Sequence, residues 1–193
     1  MCIRDRSSGN SGYSATTAGN LQMEFEADNV LNMTITGKVD TRAYGLLATG
    51  ADSVYTNKGT INLNLAADEN ATQAYRVKGM MADNNGTAVN EGTITVRNAY
   101  GMTVGSTGKN TITNTGTIDV KSGVAMEVAP TGIQGSGQEG SNAVATNEGT
   151  IKVAAGSIGV LMSGTGNTFT NKGTLDATGA KAVHLQQEKG KRA

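Results

Sequence analysis

The amino-acid sequence predicts an all-β fold: a right-handed parallel β-helix, or solenoid, with three short strands per turn and about six turns. Three observations predict it. A five-residue phrase, Asn-x-Gly-Thr-Ile, recurs at Asn57, Asn90, Asn114, Asn147 and, with Leu as its last letter, Asn171, in steps of 33, 24, 33 and 24 residues. The composition is turn-rich and β-branched, with 27 Gly against one Pro, no Trp and two Phe in 193 residues, and many Asn and Thr. No stretch carries the 3.6-residue apolar spacing of an amphipathic helix. One such unit cannot close a core alone, so successive copies must stack, and the crossover rule sets the hand.

Met1 to Arg6 back-translates to a sequence resembling the transposase adapter end used in preparing DNA libraries, so residues 1–6 are expected to be a scar. Cys2, the only cysteine, falls inside it, which leaves no cysteine for a disulfide, a thiolate nucleophile or a metal site. Residues 7–20 are expected to be frayed or the remnant of an upstream coil, residues 21–185 to form one β-helix domain, and residues 186–193 a polar tail. Leu21, Met23 and Phe25 alternate as a strand with one buried face. A degenerate first turn is expected to open at Ile35 or Val39, because Ala43-Tyr44-Gly45-Leu46 matches Ala99-Tyr100-Gly101-Met102.

Aligned on the Asn, the later copies give columns with physical sense. Two residues before it stand Tyr55, Ala88, Ile112, Ala145 and Phe169; four after it stand Ile61, Ile94, Ile118, Ile151 and Leu175; six after it stand Leu63, Val96, Val120, Val153 and Ala177. Positions i and i+2 of a strand share a face, so these point inward. A second strand follows, in which a small residue precedes an apolar one, as in Gly101-Met102, Ala125-Met126, Gly159-Val160 and Ala182-Val183. The third strand runs into the next Asn. Gly59, Gly92, Gly116, Gly149 and Gly173 are expected at a corner needing positive φ. The neighbouring Asn side chains are expected to form an amide ladder along the axis, and Thr60, Thr93, Thr117, Thr150 and Thr174 an outward row.

The period locates the decoration. The longer turns must carry their extra residues off the rod, in the first case near Asn64 to Gln73, with Asp68 and Glu69, and in the second around Pro130 to Asn142, with Gln134, Gln138 and Glu139. Loops on a rigid scaffold most often carry binding, so these five side chains are the candidate contacts, with passive insertion the alternative.

No catalytic constellation emerges, and no enzyme activity, cofactor or metal is expected. His184, the only histidine, lies between Val183 and Leu185, both expected inward, so it should face solvent. Gly135-Ser136-Gly137 lacks the following Lys and helix of a phosphate cradle. Asp68-Glu69 stands without the Gly-Gly-x-Gly-x-Asp repeat of calcium-binding β-rolls. Beside the Thr row the outward neighbours are Asn62, Thr95, Asp119, Lys152 and Asp176, which suits neither an acidic catalytic groove nor an ice-binding Thr array. Sixteen basic and sixteen acidic residues, interspersed, argue against a nucleic-acid or anionic-membrane footprint.

Asn90-Glu-Gly-Thr-Ile-Thr-Val followed by Ala99-Tyr-Gly-Met, and Asn114-Thr-Gly-Thr-Ile-Asp-Val followed by Gly123-Val-Ala-Met, resemble the passenger segments of autotransporters, the type V secreted surface proteins of Gram-negative bacteria, over about residues 30 to 185. The resemblance implies an extracellular, haemagglutinin-like adhesive rod tethered to the outer membrane through a C-terminal β-barrel that this sequence lacks. It also implies a host protein or glycan as partner. Self-association through the open solenoid ends is a further expectation. Two alternatives stand beside it: a glycan-active enzyme on the same fold, and a passive spacer without a ligand site.

Overall fold

Each repeat phrase marks one corner of a stacked coil, because its Thr and Ile begin a strand that the Asn and Gly have just turned into place. A computed structural model describes residues 13–16, 22–35, 43–66, 77–105, 108–128, 142–164 and 166–186. Among these, every regular element is a strand and every strand pairing is parallel. The expected parallel β-helix is the fold.

Strands β2 (Gln22–Phe25), β5 (Val54–Asn57), β8 (Thr87–Asn90), β10 (Thr111–Asn114), β12 (Val144–Asn147) and β15 (Thr168–Asn171) form a six-stranded sheet, one strand per turn. After the corner comes a second row, β3 (Val30–Ile35), β6 (Thr60–Leu65), β13 (Thr150–Val153) and β16 (Thr174–Asp176). The third row holds β4 (Ala43–Thr49), β7 (Val77–Asp83), β14 (Ile158–Ser163) and β17 (Lys181–Gln186), with β1 (Tyr13–Thr16) pairing onto β4. In the turns opening at Asn90 and Asn114 the last two rows fuse into β9 (Thr93–Val104) and β11 (Thr117–Val128), which joins both rows into an 11-stranded sheet.

Register follows the inward columns. Ile61, Ile94, Ile118, Ile151 and Leu175 are stacked partners, and the four isoleucines are 0% exposed. Each such burial contributes about 1.5–3 kcal/mol before chain entropy is charged against it. Met80, Met102 and Met126 stack in the third row, where their unbranched thioethers fill the interior behind the small residues Gly79, Gly101 and Ala125.

Two sequence expectations change. The first turn opens at β2 and not at Ile35 or Val39: Phe25 pairs with Asn57 and Leu31 with Ile61. Its corner, closed by an Asn29 N–H donated to the Glu26 carbonyl at 3.0 Å, lacks the Asn-x-Gly-Thr phrase, so only stacking reveals the register. The repeat glycines Gly59, Gly92, Gly116, Gly149 and Gly173 are not among the residues with positive φ. They are glycine because the corner stacks backbone directly on backbone. A Cβ on Gly92 would collide with the Gly59 carbonyl oxygen, one on Gly116 with that of Gly92, and so along the rod. The same closeness lets each corner share bonds: the Asn57 carbonyl accepts from Glu91 N–H at 2.8 Å and Gly92 N–H at 2.9 Å, and the Gly59 carbonyl accepts from Thr93 N–H at 2.9 Å.

Left-handed backbone occurs instead at Asn98, φ 52°, where the second and third rows meet in β9. Asn98 donates its side-chain amide to the Leu65 carbonyl at 2.9 Å, and its carbonyl oxygen accepts from Ser122 Oγ at 2.7 Å. It therefore ties three consecutive turns through one side chain, a role the motif-centred reading missed because Asn98 lies outside the phrase.

Candidate functional site

The contact residues singled out by sequence, Asp68, Glu69, Gln134, Gln138 and Glu139, lie outside the described residues, as does Cys2. The strands bracket them: β6 ends at Leu65 and β7 begins at Val77, whereas β11 ends at Val128 and β12 begins at Val144. The described surfaces are the corner, the outer face of each row and the two ends.

At the corner, the repeat asparagines form one continuous chain of side-chain hydrogen bonds. Asn57 donates to Asn90, Asn90 to Asn114, Asn114 to Asn147 and Asn147 to Asn171, each from Nδ2 to Oδ1 at 2.7 Å. The second amide hydrogen is satisfied by corner carbonyls of the same or the next turn, as in Asn57 Nδ2 to the Gly59 carbonyl at 3.3 Å and Asn147 Nδ2 to the Thr174 carbonyl at 3.1 Å. Four of the five are wholly buried, so these bonds act in a water-free channel where a missing partner would cost about 1–3 kcal/mol. The chain is polar along the rod and starts abruptly. Phe25 occupies the rung below Asn57, and Asn57 Oδ1 is buried without a hydrogen-bond partner.

The second-row outer face is at least partly exposed and carries charge. Lys121 pairs with Asp119 at 2.8 Å, and Asn62 donates to Asn32 at 2.9 Å. One residue past the corner, Lys172 meets Glu148 at 2.9 Å and Lys58 meets Glu24 at 2.8 Å. The hydrogen bond to Glu24 holds the Lys58 ammonium above its ordinary value, helped by the fields of Glu24, Glu91 and Glu26 and opposed by partial desolvation.

The third-row outer face differs. Its outward positions include Lys78, Met81, Thr103, Val124, Glu127 and Leu161, all buried. Lys78 Nζ lies 3.2 Å from Glu127 Oε2, with side chains only 1% and 3% exposed. By register Lys78 stands beside Tyr100 and Glu127 beside Thr103, so the pair spans β7 and β11 across the intervening β9. An ion pair this dry holds its geometry because separating the two would leave buried charge without that compensation. It is a staple between turns, closed to a substrate. Sequence reasoning missed it because the two residues are 49 apart and each looks like an ordinary outward charge.

His184 takes the outward position expected of it, in register with Leu161, but is not freely exposed. It is half-buried, its Nδ1 enclosed without a hydrogen-bond partner, while Val183 and Leu185 are 44% and 73% exposed. They belong to β17, which among the described residues pairs with β14 on one side only, so no described strand covers them.

The six-stranded sheet has an outer face of a third kind. From Val54 and Thr56 on β5 to Thr168 and Thr170 on β15, every outward side chain is Thr or Val. Chemically the described surfaces offer hydroxyls, methyls, isolated ion pairs and no convergent acid, base and nucleophile. No group of three or more His, Cys, Asp or Glu that could hold a metal occurs among the described residues.

A family model described as the BigA third pectate lyase-like domain matches residues 10–190. No curated protein and no solved structure matches the chain.

Proposed function

The chain belongs to the family of the BigA third pectate lyase-like domain, and on that premise we propose that it is a β-helical segment of an extracellular bacterial surface protein, a non-catalytic rod of the autotransporter-passenger kind that presents loops for host or surface contact. The observation that carries this reading is the interior. It is given over to scaffold, an unbroken amide ladder beside columns of buried aliphatic side chains, while its extra residues are inserted between strands of an otherwise regular coil. A rod of six turns at nearly 5 Å each is roughly 30 Å long, stiff enough to hold a loop away from a cell surface.

The test is binding of the purified chain to immobilised matrix proteins and host glycans, with a variant lacking residues 130–142. Binding that is lost in the variant while its melting transition is kept supports the adhesive reading. Unchanged binding sinks it for this loop, and retention of the protein inside the cell sinks the surface assignment. If repeats swapped for unrelated β-helix turns leave adhesion unchanged, the segment is a spacer.

The pectate lyase-like description of the family supports a second reading, a glycan-active enzyme. Incubation with polygalacturonate and other acidic polysaccharides, followed by reducing-end assay, decides it: release of new ends establishes the enzyme, and none is expected.

A further inference from the structure

We propose that the outer face of the six-stranded sheet is a self-association surface, on which a second copy of this chain packs with its own equivalent face. It goes beyond the adhesive reading and holds whatever ligand the rod carries.

The starting observation is a contrast within the same turns. Outward positions of the second row include Asp119, Lys152 and Asp176, as water-facing strands normally do. Outward positions of the neighbouring sheet carry no charge over five consecutive strands, β5 to β15. Strand propensity favours Thr and Val in both rows, so it does not explain why only one row excludes charge. The stacking is in register, with Thr113 between Val89 and Thr146, so uncharged β-branched side chains repeat along the axis. The face ends at β2, where Gln22 and Glu24 take the outward positions.

A Thr hydroxyl both donates and accepts, and its methyl group and Val are apolar. Such a face is complementary to itself: turned about a two-fold axis onto a second copy, it meets hydroxyls and methyls with no like charges opposed. A charged partner gains nothing from it. Its size sets the strength. Five strands at ~4.8 Å and four residues at ~3.3 Å make a patch on the order of 300 Å² per partner. A stable standard-size interface needs about 800 Å² per partner. Pairing of single chains is therefore weak and concentration-dependent, and it strengthens when many copies are held side by side.

The experiment is sedimentation velocity on the full chain from micromolar to near-millimolar concentration. The wild type is expected to show a reversible monomer–dimer equilibrium. Thr113→Lys/Thr146→Lys, which places lysines against their symmetry mates, is expected to weaken it at least about tenfold while circular dichroism and melting stay unchanged. Asn62→Lys/Thr95→Lys, with the same added charge on the second-row face, is expected to associate like the wild type. A wild type that stays monomeric throughout overturns the proposal. So does loss of association in Leu185→Lys but not in the Thr113/Thr146 variant, which would put the contact at the solenoid end. Binding to insoluble cellulose or chitin without dimerisation would assign the face to a polysaccharide and overturn it equally.

Discussion

The turn that opens at Asn114 and the turn that opens at Asn171 carry almost the same words and lead different physical lives. In the first, Ile118, Met126 and Val128 are sealed and Asn114 both accepts and donates an amide bond. In the second, Leu175 is half-buried, Val183 and Leu185 are exposed, and Asn171 accepts from Asn147 but donates to its own Gly173 carbonyl. Both turns form strands, since pairing with one neighbouring turn is enough for that. Burial and ladder continuity are properties of neighbours, which is the one-dimensional character of a solenoid.

The largest break in this contrast comes from Ile118→Asp, which puts a carboxylate into a sealed core and should abolish the cooperative fold, a loss above about 4 kcal/mol. Leu175→Asp should fray only the last turn. Thr117→Ala, on the outer face, should stay within about 0.5 kcal/mol. Thermal unfolding by circular dichroism separates them, and equal melting temperatures for Ile118→Asp and Thr117→Ala would overturn the register.

A buried charge compared with an exposed one sharpens the same point. Glu127→Leu removes a buried counter-charge of Lys78 on the third-row outer face and should cost about 3–5 kcal/mol, most of it recovered by Lys78→Met/Glu127→Leu. Glu148→Leu, in the exposed pair with Lys172, should cost about 0–1 kcal/mol. Denaturant midpoints measure both, and similar values would mean that the Lys78 pair is wetter than its burial indicates.

The ladder gives a smaller contrast. Asn114→Ala strands an acceptor on Asn147, about 1–3 kcal/mol, and takes one rung from Asn90, whose Nδ2 keeps its bonds to the Gly92 and Thr117 carbonyls, about 0.5–1.5 kcal/mol more. Asn171→Ala interrupts one rung, and Asn147 keeps its bonds to the Gly149 and Thr174 carbonyls, so about 0.5–1.5 kcal/mol is expected. Hydrogen exchange at the flanking corner amides would show protection lost on both sides of residue 114 and on one side of residue 171.

The smallest effect is a pH dependence at the N-terminal turns. Lys58 is raised above 10.5 in the folded state, first by its hydrogen bond to Glu24. A folded value above the unfolded one means that the contribution is fully present below pH 10.5 and is lost as pH rises through the folded value. A stability decline confined to that alkaline window, and flattened in Glu24→Gln, is expected in a melting series. A decline of equal size in the variant would assign it to other groups.

The sequence by itself determined the parallel coil, the inward Ile and Val columns and the partners of each Asn, because in a stacked fold a repeated phrase is its own register mark. It also marked the intervals where extra residues enter. Tertiary structure alone decided why the repeat residues are Gly, since the need arises from a carbonyl one turn away and not from the dihedral of the residue itself. It alone placed the first turn, where Phe25 and Leu31 stack without the phrase, and brought Lys78 to Glu127. It alone separated the charge-free outer face from the charged one, since that distinction follows only once each strand is assigned to its sheet. Each of these is a relation between turns, carried by contacts that no single stretch of chain contains.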